Sequence, residues 1–453
     1  MISTTGAAIE GGVHFPIRPD EPLIAREISV GGVRELLSGN STEHLASRAT
    51  TSWERRREGL HLLGFGDAIR IRGARDSTIA EAVAGLKVAR GAVLAETSVA
   101  GRPRFFGGAR FRPGGRVQFD GWESFGGWQF VMPRLLVSIE KDSATATVVA
   151  TQRELREQTL EDLARSALNE APQATPGVSG HLPESDMEHW AGRVALAVAE
   201  IGDGRYDKVV LAVHRDVYAG RPLDQGQLLA ALAARYPDCY TFKFVSDGAA
   251  WLGASPELLA ANAGGQVHAA SLAGSRPRGR SVGDDDELAH ELMASEKERV
   301  EHRLVVEALA SSLGTVCANI DVPAEPRIMR MANIQHLHTP VRATLLPGRD
   351  ILDLVAAVHP TPAVGGFPRE PAIEAIERLE GIDRGWYAAP IGWLDLNGDG
   401  EFAVALRSGL VRGNRADLFA GCGIVPGSIP AAEVAEVEQK LRALGDTIKA
   451  LEA

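Results

Sequence analysis

The sequence predicts an α+β fold, with helices on the outside of a mostly antiparallel sheet. Two observations predict it. Short runs rich in Val, Phe and Trp are joined in pairs by turns, and segments that resemble helices lie between these pairs. Strands joined by hairpins are antiparallel, and the helices between them must cover a face of the sheet.

The N-terminal part of the chain is predicted to be rich in strands. Strands are predicted at 106–111, 128–140 and 145–150, the last two joined by a turn at 141–143. The segment 170–183 is rich in Pro, Gly and Ser, which predicts a surface loop. We therefore divide the chain into an N-terminal part, 1–180, and a second part, 184–453.

The second part is predicted to alternate helices with strands. Helices are predicted at 187–201, 223–235, 284–313, 351–358, 371–380 and 431–451. Strands are predicted at 208–215, 239–245 and 416–425, with a hairpin at 391–411.

Composition excludes several classes of protein. The chain of 453 residues has 48 basic and 59 acidic residues, a formal net charge of −11, which argues against nucleic acid and anionic membranes as partners. Its three cysteines are widely spaced, so neither a disulfide framework nor a structural zinc site is expected. The sequence shows no signal peptide and no apolar run long enough to span a membrane, which predicts a cytoplasmic protein.

Two predicted helices have the same spacing of carboxylates. Glu298 and Glu301 lie three residues apart on one helix, and Glu433 and Glu436 lie three apart on the other, with Lys440 four residues later. Residues three or four apart share a helix face, so two such faces could form a cage of oxygen ligands that suits Mg²⁺. On spacing alone, a solvated, salt-bridged helix surface is the more common arrangement, because Glu-rich helices are common.

Two single residues are candidates for proton transfer. Lys208 begins an apolar strand, where a desolvated lysine can act as a base; it could also be a charge protecting a strand edge. Glu257 lies between apolar residues, where desolvation favours an acid; it could also be a carboxylate in the first turn of a helix.

Three further segments are less specific. Residues 272–279 combine small residues with two arginines and could bind an anion or form a basic turn. The residues from Asp395 to Gly400 resemble the start of a calcium loop but are predicted to be a hairpin turn, since Leu406 stands where a ligand is required. His336 and His338 have no third metal ligand nearby, so a polar loop or a substrate contact is expected.

Taken in order, the motifs of the second part resemble those of the chorismate-utilising enzymes. This family includes isochorismate synthases, salicylate synthases and the large subunits of anthranilate and aminodeoxychorismate synthases. The matching segments are KVVL (208–211), SPELL (255–259), LAGSRPRG (272–279), SEKERVEHRLVVE (295–307), IQHL (334–337), HPTPAVGGFPRE (359–370), RGWYAAPIGW (384–393), EFAVALRSG (401–409) and AGCGIVPGS (420–428). One departure is Cys422, in a segment that is usually AGAGI in the family.

The resemblance implies a fold and a site. The fold would be a single large α/β domain of layered, mostly antiparallel sheets with helices outside, formed by both parts of the chain. Glu301 and Glu436 would be the main Mg²⁺ ligands, supported by Glu298 and Glu433. The residues that would contact chorismate are Gly274, Ser275, His336, Thr361, Tyr387, Arg407, the backbone at Gly421, and Lys440.

The resemblance also implies a reaction, the Mg²⁺-dependent conversion of chorismate to isochorismate. Lys208 would take a proton from the water that attacks C2, and Glu257 would give one to the leaving 4-hydroxyl. Ammonia-using members lack this lysine and bind a glutaminase, so no obligatory protein partner is expected. Salicylate synthase remains an alternative, although Ser275 stands where those enzymes tend to have Thr. The motif at 359–370 is closer to the menaquinone-pathway type than to the siderophore type.

Overall fold

The computed structural model describes residues 13–14, 22–95, 103–114, 120–170, 185–331 and 334–452. The predicted surface loop at 170–183 lies outside the described residues except for Glu170.

The described residues form a sheet of 21 strands. The strands are β1 (Val13–His14), β2 (Leu23–Glu27), β3 (Thr51–Arg55), β4 (Leu60–Gly73), β5 (Val93–Ala95), β6 (Arg104–Ala109), β7 (Trp128–Glu140), β8 (Ser143–Thr151), β9 (Lys208–Tyr218), β10 (Tyr240–Ser246), β11 (Ala249–Ser255), β12 (Leu258–Ala263), β13 (Gln266–Pro277), β14 (Cys317–Asp321), β15 (Arg327–Arg330), β16 (Ile334–Leu345), β17 (Gly366–Phe367), β18 (Pro390–Asp395), β19 (Gly400–Val404), β20 (Ser408–Arg412) and β21 (Arg415–Ile424).

Twelve α-helices accompany these strands in the described residues. They are α1 (Val30–Leu37), α2 (Thr42–Arg48), α3 (Ile79–Gly91), α4 (Glu154–Glu157), α5 (Leu160–Asn169), α6 (Met187–Gly202), α7 (Gln225–Arg235), α8 (Val282–Ala294), α9 (Glu296–Leu313), α10 (Ile351–Val358), α11 (Arg369–Leu379) and α12 (Pro430–Ala450).

The sheet branches from two long, paired strands, β4 and β7. The first arm continues from β4 through β3, β10, β11, β20, β21, β9 and β17. The second arm continues from β7 through β6, β18, β19, β12, β13 and β16. Each arm joins strands from the N-terminal part to strands from the second part. Among the described pairings only β2 with β5 is parallel, so the predicted α+β class with a mostly antiparallel sheet is confirmed.

The chain crosses between the two arms at two places, and these crossings position the site. Pro256 and Glu257 connect β11 in the first arm to β12 in the second. Residues 405–407 connect β19 in the second arm back to β20 in the first. The Ala254 amide donates to the Arg407 carbonyl at 3.3 Å, which holds the two crossings side by side.

Buried aromatic rings connect these crossings to the rest of the core. Trp251 in β11 packs against Trp122 with the ring centroids 4.8 Å apart. Tyr387 stacks on Phe419 of β21 at 5.5 Å, and Phe125 packs against Trp386 at 5.1 Å. The loop that carries Tyr387 is therefore fixed by the same core that supports β11 and β21.

The structure corrects two predicted elements. The single helix predicted at 284–313 is two helices, α8 and α9, which meet at Ser295. The Ser295 side chain accepts a hydrogen bond from the Glu298 amide, so it caps the start of α9. The hairpin predicted at 391–411 ends after β19, because β20 leaves it to pair with β11 and β21.

Other local predictions are confirmed. The turn at 396–399 joins β18 to β19, and the Asp395 carboxylate accepts from the amides of Asn397 and Asp399 at 2.8 and 3.0 Å. Among the helices of the described residues, none combines the length and apolar character that crossing a membrane requires.

Candidate active site

A cavity of about 550 Å³ lies where the two arms meet. Its walls come from β9, β13, β16, β21, both crossings, α9 and α12. The predicted site residues that line it are Lys208, Glu257, Gly274, Ser275, Glu298, His336, Tyr387, Arg407, Gly421, Glu433, Glu436 and Lys440. Residues spread over more than 230 positions of sequence, from 208 to 440, therefore share one cleft.

Glu257 is buried at the first crossing. Its amide donates to Ser255 Oγ at 3.2 Å, and its carbonyl accepts from the Val404 amide at 3.0 Å. Burial raises the pKa of the carboxyl to about 7, and the ammonium groups of Lys208 and Lys440 oppose that rise. A carboxyl with this pKa is protonated in about half of the molecules at pH 7, so it can donate a proton. Glu257 lies between two strands, which excludes the helix position considered from the sequence.

Lys208 is buried at the first position of β9. The strand pairs with β21 on one side and with β17 on the other, so Lys208 does not protect an exposed strand edge. Its side chain lines the same cavity as Glu257, and its charge acts on the Glu257 carboxyl. The structure thus places a candidate base and a candidate acid in one site.

A bulge in β13 shapes the wall opposite β9. The pairing of β13 with β16 shifts between Ala273 and Ser275, and Gly274 has a φ of 78°. A Cβ atom at Gly274 would lie 3.0 Å from Glu298 Oε2, so glycine leaves room for that carboxylate. Segment 272–279 is therefore mostly strand, and the basic turn considered from the sequence is not formed there.

His336 faces this bulge from β16. Its Nδ1 lies 2.8 Å from Ser275 Oγ. Burial, together with the nearby charges of Arg407 and Lys440, lowers the pKa of the imidazole to about 4. His336 is therefore neutral at pH 7 and can hold Ser275 by a hydrogen bond without adding charge to the cavity.

Arg407 lies at the second crossing in a strained backbone conformation, with a φ of 48°. Its Nη1 is 3.7 Å from Cys239 Sγ, and its guanidinium carbon is 5.6 Å from the centre of the Tyr236 ring. Among the described side chains no carboxylate forms an ion pair with Arg407. Its guanidinium can therefore pair with a carboxylate of a bound molecule.

The cavity walls have a different charge balance from the whole chain. Basic and acidic side chains are equal in number there, four of each: Lys208, Arg276, Arg407 and Lys440 against Glu257, Glu298, Glu433 and Glu436. An anionic ligand is thus compatible with this site although the chain is acidic overall.

Three predicted metal ligands with described side chains, Glu298, Glu433 and Glu436, line the cavity without forming a tight cluster. Among the described side chains, the ligand atoms that lie within 4.8 Å of one another belong instead to His214, Asp216 and Asp417. Arg412 and Arg415 pair with Asp417 at 2.6 Å each, so that group is a buried charge network outside the cavity. Glu301 lies on α9, and its side chain lies outside the described part of the structure.

Residues 23–449 match the model of the family described as chorismate binding enzyme. The chain belongs to this family. It is 42% identical over 280 residues to the salicylate biosynthesis isochorismate synthase of Pseudomonas aeruginosa, which covers 61% of this chain and 58% of that protein. It is 40% identical over 259 residues to the isochorismate synthase MenF of Bacillus subtilis, which covers 57% of this chain and 55% of that protein. The aligned regions thus span little more than half the length of these relatives.

The fold of a solved family member is also similar. The structure of MenF, the menaquinone-specific isochorismate synthase from Escherichia coli, matches with a TM-score of 0.74 at 26% identity. The match covers 94% of this chain and 95% of that one. The expected fold of the chorismate-utilising enzymes, one domain with a mostly antiparallel sheet, is therefore confirmed.

Thr361 is the one predicted site residue with a described side chain that the structure places elsewhere. It lines a second cavity, of about 390 Å³, between α9 and the segment from 358 to 370. The neighbouring residues Ala363 and Val364 line the main cavity instead. The motif at 359–370 correctly indicated that this segment lies at the site. The sequence did not indicate which side chains of the segment face the cavity.

Sequence reasoning missed two other features of the family site. Ala388 lines the cavity with a φ of 59°, a backbone conformation that composition does not indicate. Cys422 also lines it, and the Glu433 carboxylate is its hydrogen-bond partner. Cys422 was noted in the sequence as a departure from the family pattern. Nothing in the sequence indicated that it contacts Glu433, a predicted metal ligand.

Proposed function

We propose that this protein is an isochorismate synthase that converts chorismate to isochorismate with bound Mg²⁺. Water attacks C2 of the ring and the 4-hydroxyl leaves as water, so the net reaction moves a hydroxyl group. The observation that carries this proposal is the burial of Lys208 and Glu257 in one cavity, together with the pKa of about 7 that burial gives Glu257.

The two residues perform separate proton transfers. Lys208 accepts a proton from the attacking water, and Glu257 donates one to the leaving hydroxyl. Each positioned proton transfer contributes about 10²–10⁴-fold to the rate. After product leaves, Lys208 gives the proton it accepted to solvent and Glu257 takes one up, so the proton balance of the cycle closes.

Other residues of the chain bind and orient the substrate. Arg407 pairs in a forked geometry with one carboxylate of the substrate, and the hydroxyl of Tyr387 reaches the same group. Ser275, held by His336, and the backbone at Gly274 and Gly421 line the ring. Lys208 is buried in the cavity wall, so the proposed nucleophile is a water bound beside it.

A hard oxygen donor set on α9 and α12 fits Mg²⁺. The glutamates proposed to hold the ion are Glu301 and Glu436, supported by Glu298 and Glu433. The three with described side chains line one cavity and keep room between them, as a site shared between protein and substrate requires. When bound, the ion supplies positive charge that neutralises a substrate carboxylate.

The names of the relatives favour this reaction over its alternatives. Both aligned relatives are called isochorismate synthases, one for salicylate biosynthesis and one of the MenF type. Isochorismate serves either pathway, so the product is the part of the proposal that can be tested directly.

The test is analysis of the products after the pure protein is incubated with chorismate and Mg²⁺. Isochorismate without pyruvate supports the proposal. Release of pyruvate with salicylate indicates a salicylate synthase instead. If the protein alone forms no product, but forms one when ammonium or a copurifying glutaminase is added, it is an amidotransferase-type subunit.

A further inference from the structure

The outer edge of β9, the strand that carries Lys208, is completed by an unusual partner. The short strand β17 pairs with its first residues, and Gly365 accepts a hydrogen bond from the Val210 amide at 3.0 Å. β17 has only two residues, so it leaves the Val210 carbonyl and the Ala212 amide without a strand beside them.

A buried ion pair takes the place of that strand. Arg384 Nη2 donates to the Val210 carbonyl at 2.8 Å, and the Ala212 amide donates to Glu380 Oε1 at 2.8 Å. The two side chains pair with each other, and both are almost fully buried. A guanidinium that donates and a carboxylate that accepts thus provide the two hydrogen bonds that a third strand would have made.

Arg384 reaches two more walls of the cavity, one through its guanidinium and one through its backbone carbonyl. Arg384 Nη1 donates to the Val364 carbonyl at 2.8 Å, and the Arg384 carbonyl accepts from the Tyr387 amide at 2.9 Å. Its guanidinium carbon lies 4.1 Å from the centre of the Phe111 ring, which fixes the plane of the fork. Val210, Val364 and Tyr387 all line the cavity, so one residue joins three segments of its wall, two through its side chain and the third through its carbonyl.

Stability of the core does not by itself explain why an ion pair is buried at this position. Two buried charges lose hydration, and apolar residues of the same volume often stabilise a core as well or better. Apolar residues in their place would leave the Val210 carbonyl and the Ala212 amide without these two hydrogen bonds. The effect of the ion pair is therefore local, on the strand that begins with Lys208.

We propose that Arg384 and Glu380 are positioning residues that set the register of Lys208 against Val364 and Tyr387. The proposal rests on the proposed function in one respect, the role of Lys208 as base. Neither residue lines the cavity, so both act through β9 and not on the substrate.

The test begins with Arg384→Lys, which keeps the charge but removes the fork. Arg378→Lys is the matched control, because Arg378 at the end of α11 makes a forked pair with Glu200 of α6 at 2.7 and 2.8 Å, away from the cavity. Hydrogen–deuterium exchange of the peptide 208–213 should rise in Arg384→Lys and stay unchanged in Arg378→Lys. Unchanged exchange in Arg384→Lys would overturn the proposal.

Kinetics test the connection to Lys208. Arg384→Lys should lower kcat by about tenfold or more while KM stays within about threefold, since the substrate contacts are intact. In the Lys208→Ala background the same change should have little further effect on the residual rate. An equal loss in both backgrounds would show a general structural effect and would also overturn the proposal.

A second variant, Glu380→Gln, keeps the proposal testable if Arg384→Lys folds poorly. Glu380→Gln keeps an oxygen that can accept from the Ala212 amide but removes the charge that orients Arg384, so it should give a smaller change of the same kind. If the wild-type protein makes no isochorismate, the proposed function fails, while the exchange experiment still decides whether the ion pair holds β9.

Discussion

Lys440 Nζ lies 2.7 Å from Glu436 Oε1, one turn earlier on α12. The same ammonium donates to the Gly421 carbonyl at 2.8 Å, so it connects a proposed metal ligand to β21. A cation that binds Glu436 must compete with Lys440 for this carboxylate. A substrate carboxylate would add another anionic oxygen to the ligand set. Mg²⁺ should therefore bind more strongly when substrate is present.

Glu436→Gln should weaken Mg²⁺ binding by at least about tenfold, because it removes an anionic oxygen from a hard-cation site. The side chain is 48% exposed, so the free energy of unfolding should change little. Calorimetric titration with Mg²⁺ in the presence of chorismate measures the first effect, and thermal denaturation the second. Glu438→Gln, on the same helix and 42% exposed, is the control. Full activity of protein stripped of metal by EDTA would contradict the proposed site.

Arg407→Lys should lower kcat/KM by about tenfold or more, because lysine cannot reproduce a forked pair with a carboxylate. Steady-state kinetics with chorismate measure the change. Arg349→Lys is the control, since Arg349 pairs with Asp353 on the surface at 3.0 Å. Kinetics of Arg407→Lys equal to those of the wild type would remove Arg407 from the substrate site.

Glu257→Gln should make the protein more stable at high pH while abolishing activity. Burial raises the pKa of Glu257 in the folded protein from 4.5 to about 7. Glu257 therefore contributes most to the stability of the wild-type protein at low pH, where it is protonated, and this contribution is lost as the pH rises through that value. A shift of this size corresponds to about 3 kcal/mol, and glutamine does not titrate. The difference in unfolding free energy between variant and wild type should grow from pH 5 to pH 8. A difference that stays constant over this range would argue that the carboxyl is not buried.

Ser295→Ala should lower the free energy of unfolding by about 1 kcal/mol, because it removes the cap of α9. Ser311→Ala, at an exposed position of the same helix, is the control. Chemical denaturation of both variants gives the comparison. An equal effect of both would mean that the cap contributes nothing.

The break at Ser295 shows what the sequence could reveal and what was missed. A serine followed three residues later by Glu298 is a start signal for a helix, and it lies inside the segment predicted as one helix. Local signals of this kind predicted most helices of the second part within two residues. Residues with high helix propensity continue on both sides of Ser295, so composition alone does not show the break.

The arrangement of the two arms could not be predicted in the same way. Pairing of β3 with β10 joins Trp53 to Phe242, which are far apart in the sequence, and no local pattern specifies such a partner. The crossings at Glu257 and Arg407 depend on these long-range pairings. Motifs therefore located the candidate residues, whereas only the folded chain showed which of them share a cavity.

Lys208→Ala should abolish the addition of water while leaving binding of chorismate nearly intact. The loss should correspond to about 3–5 kcal/mol of transition-state stabilisation, and combining it with Glu257→Gln should add little, because one blocked proton transfer already stops the displacement. Ammonia is a nucleophile that needs no base. Lys208→Ala assayed with ammonium at high pH should therefore form an aminated product from chorismate, detected by mass spectrometry. Formation of isochorismate by Lys208→Ala at a rate near that of the wild type would show that the lysine is not the base, and the proposed mechanism would be wrong.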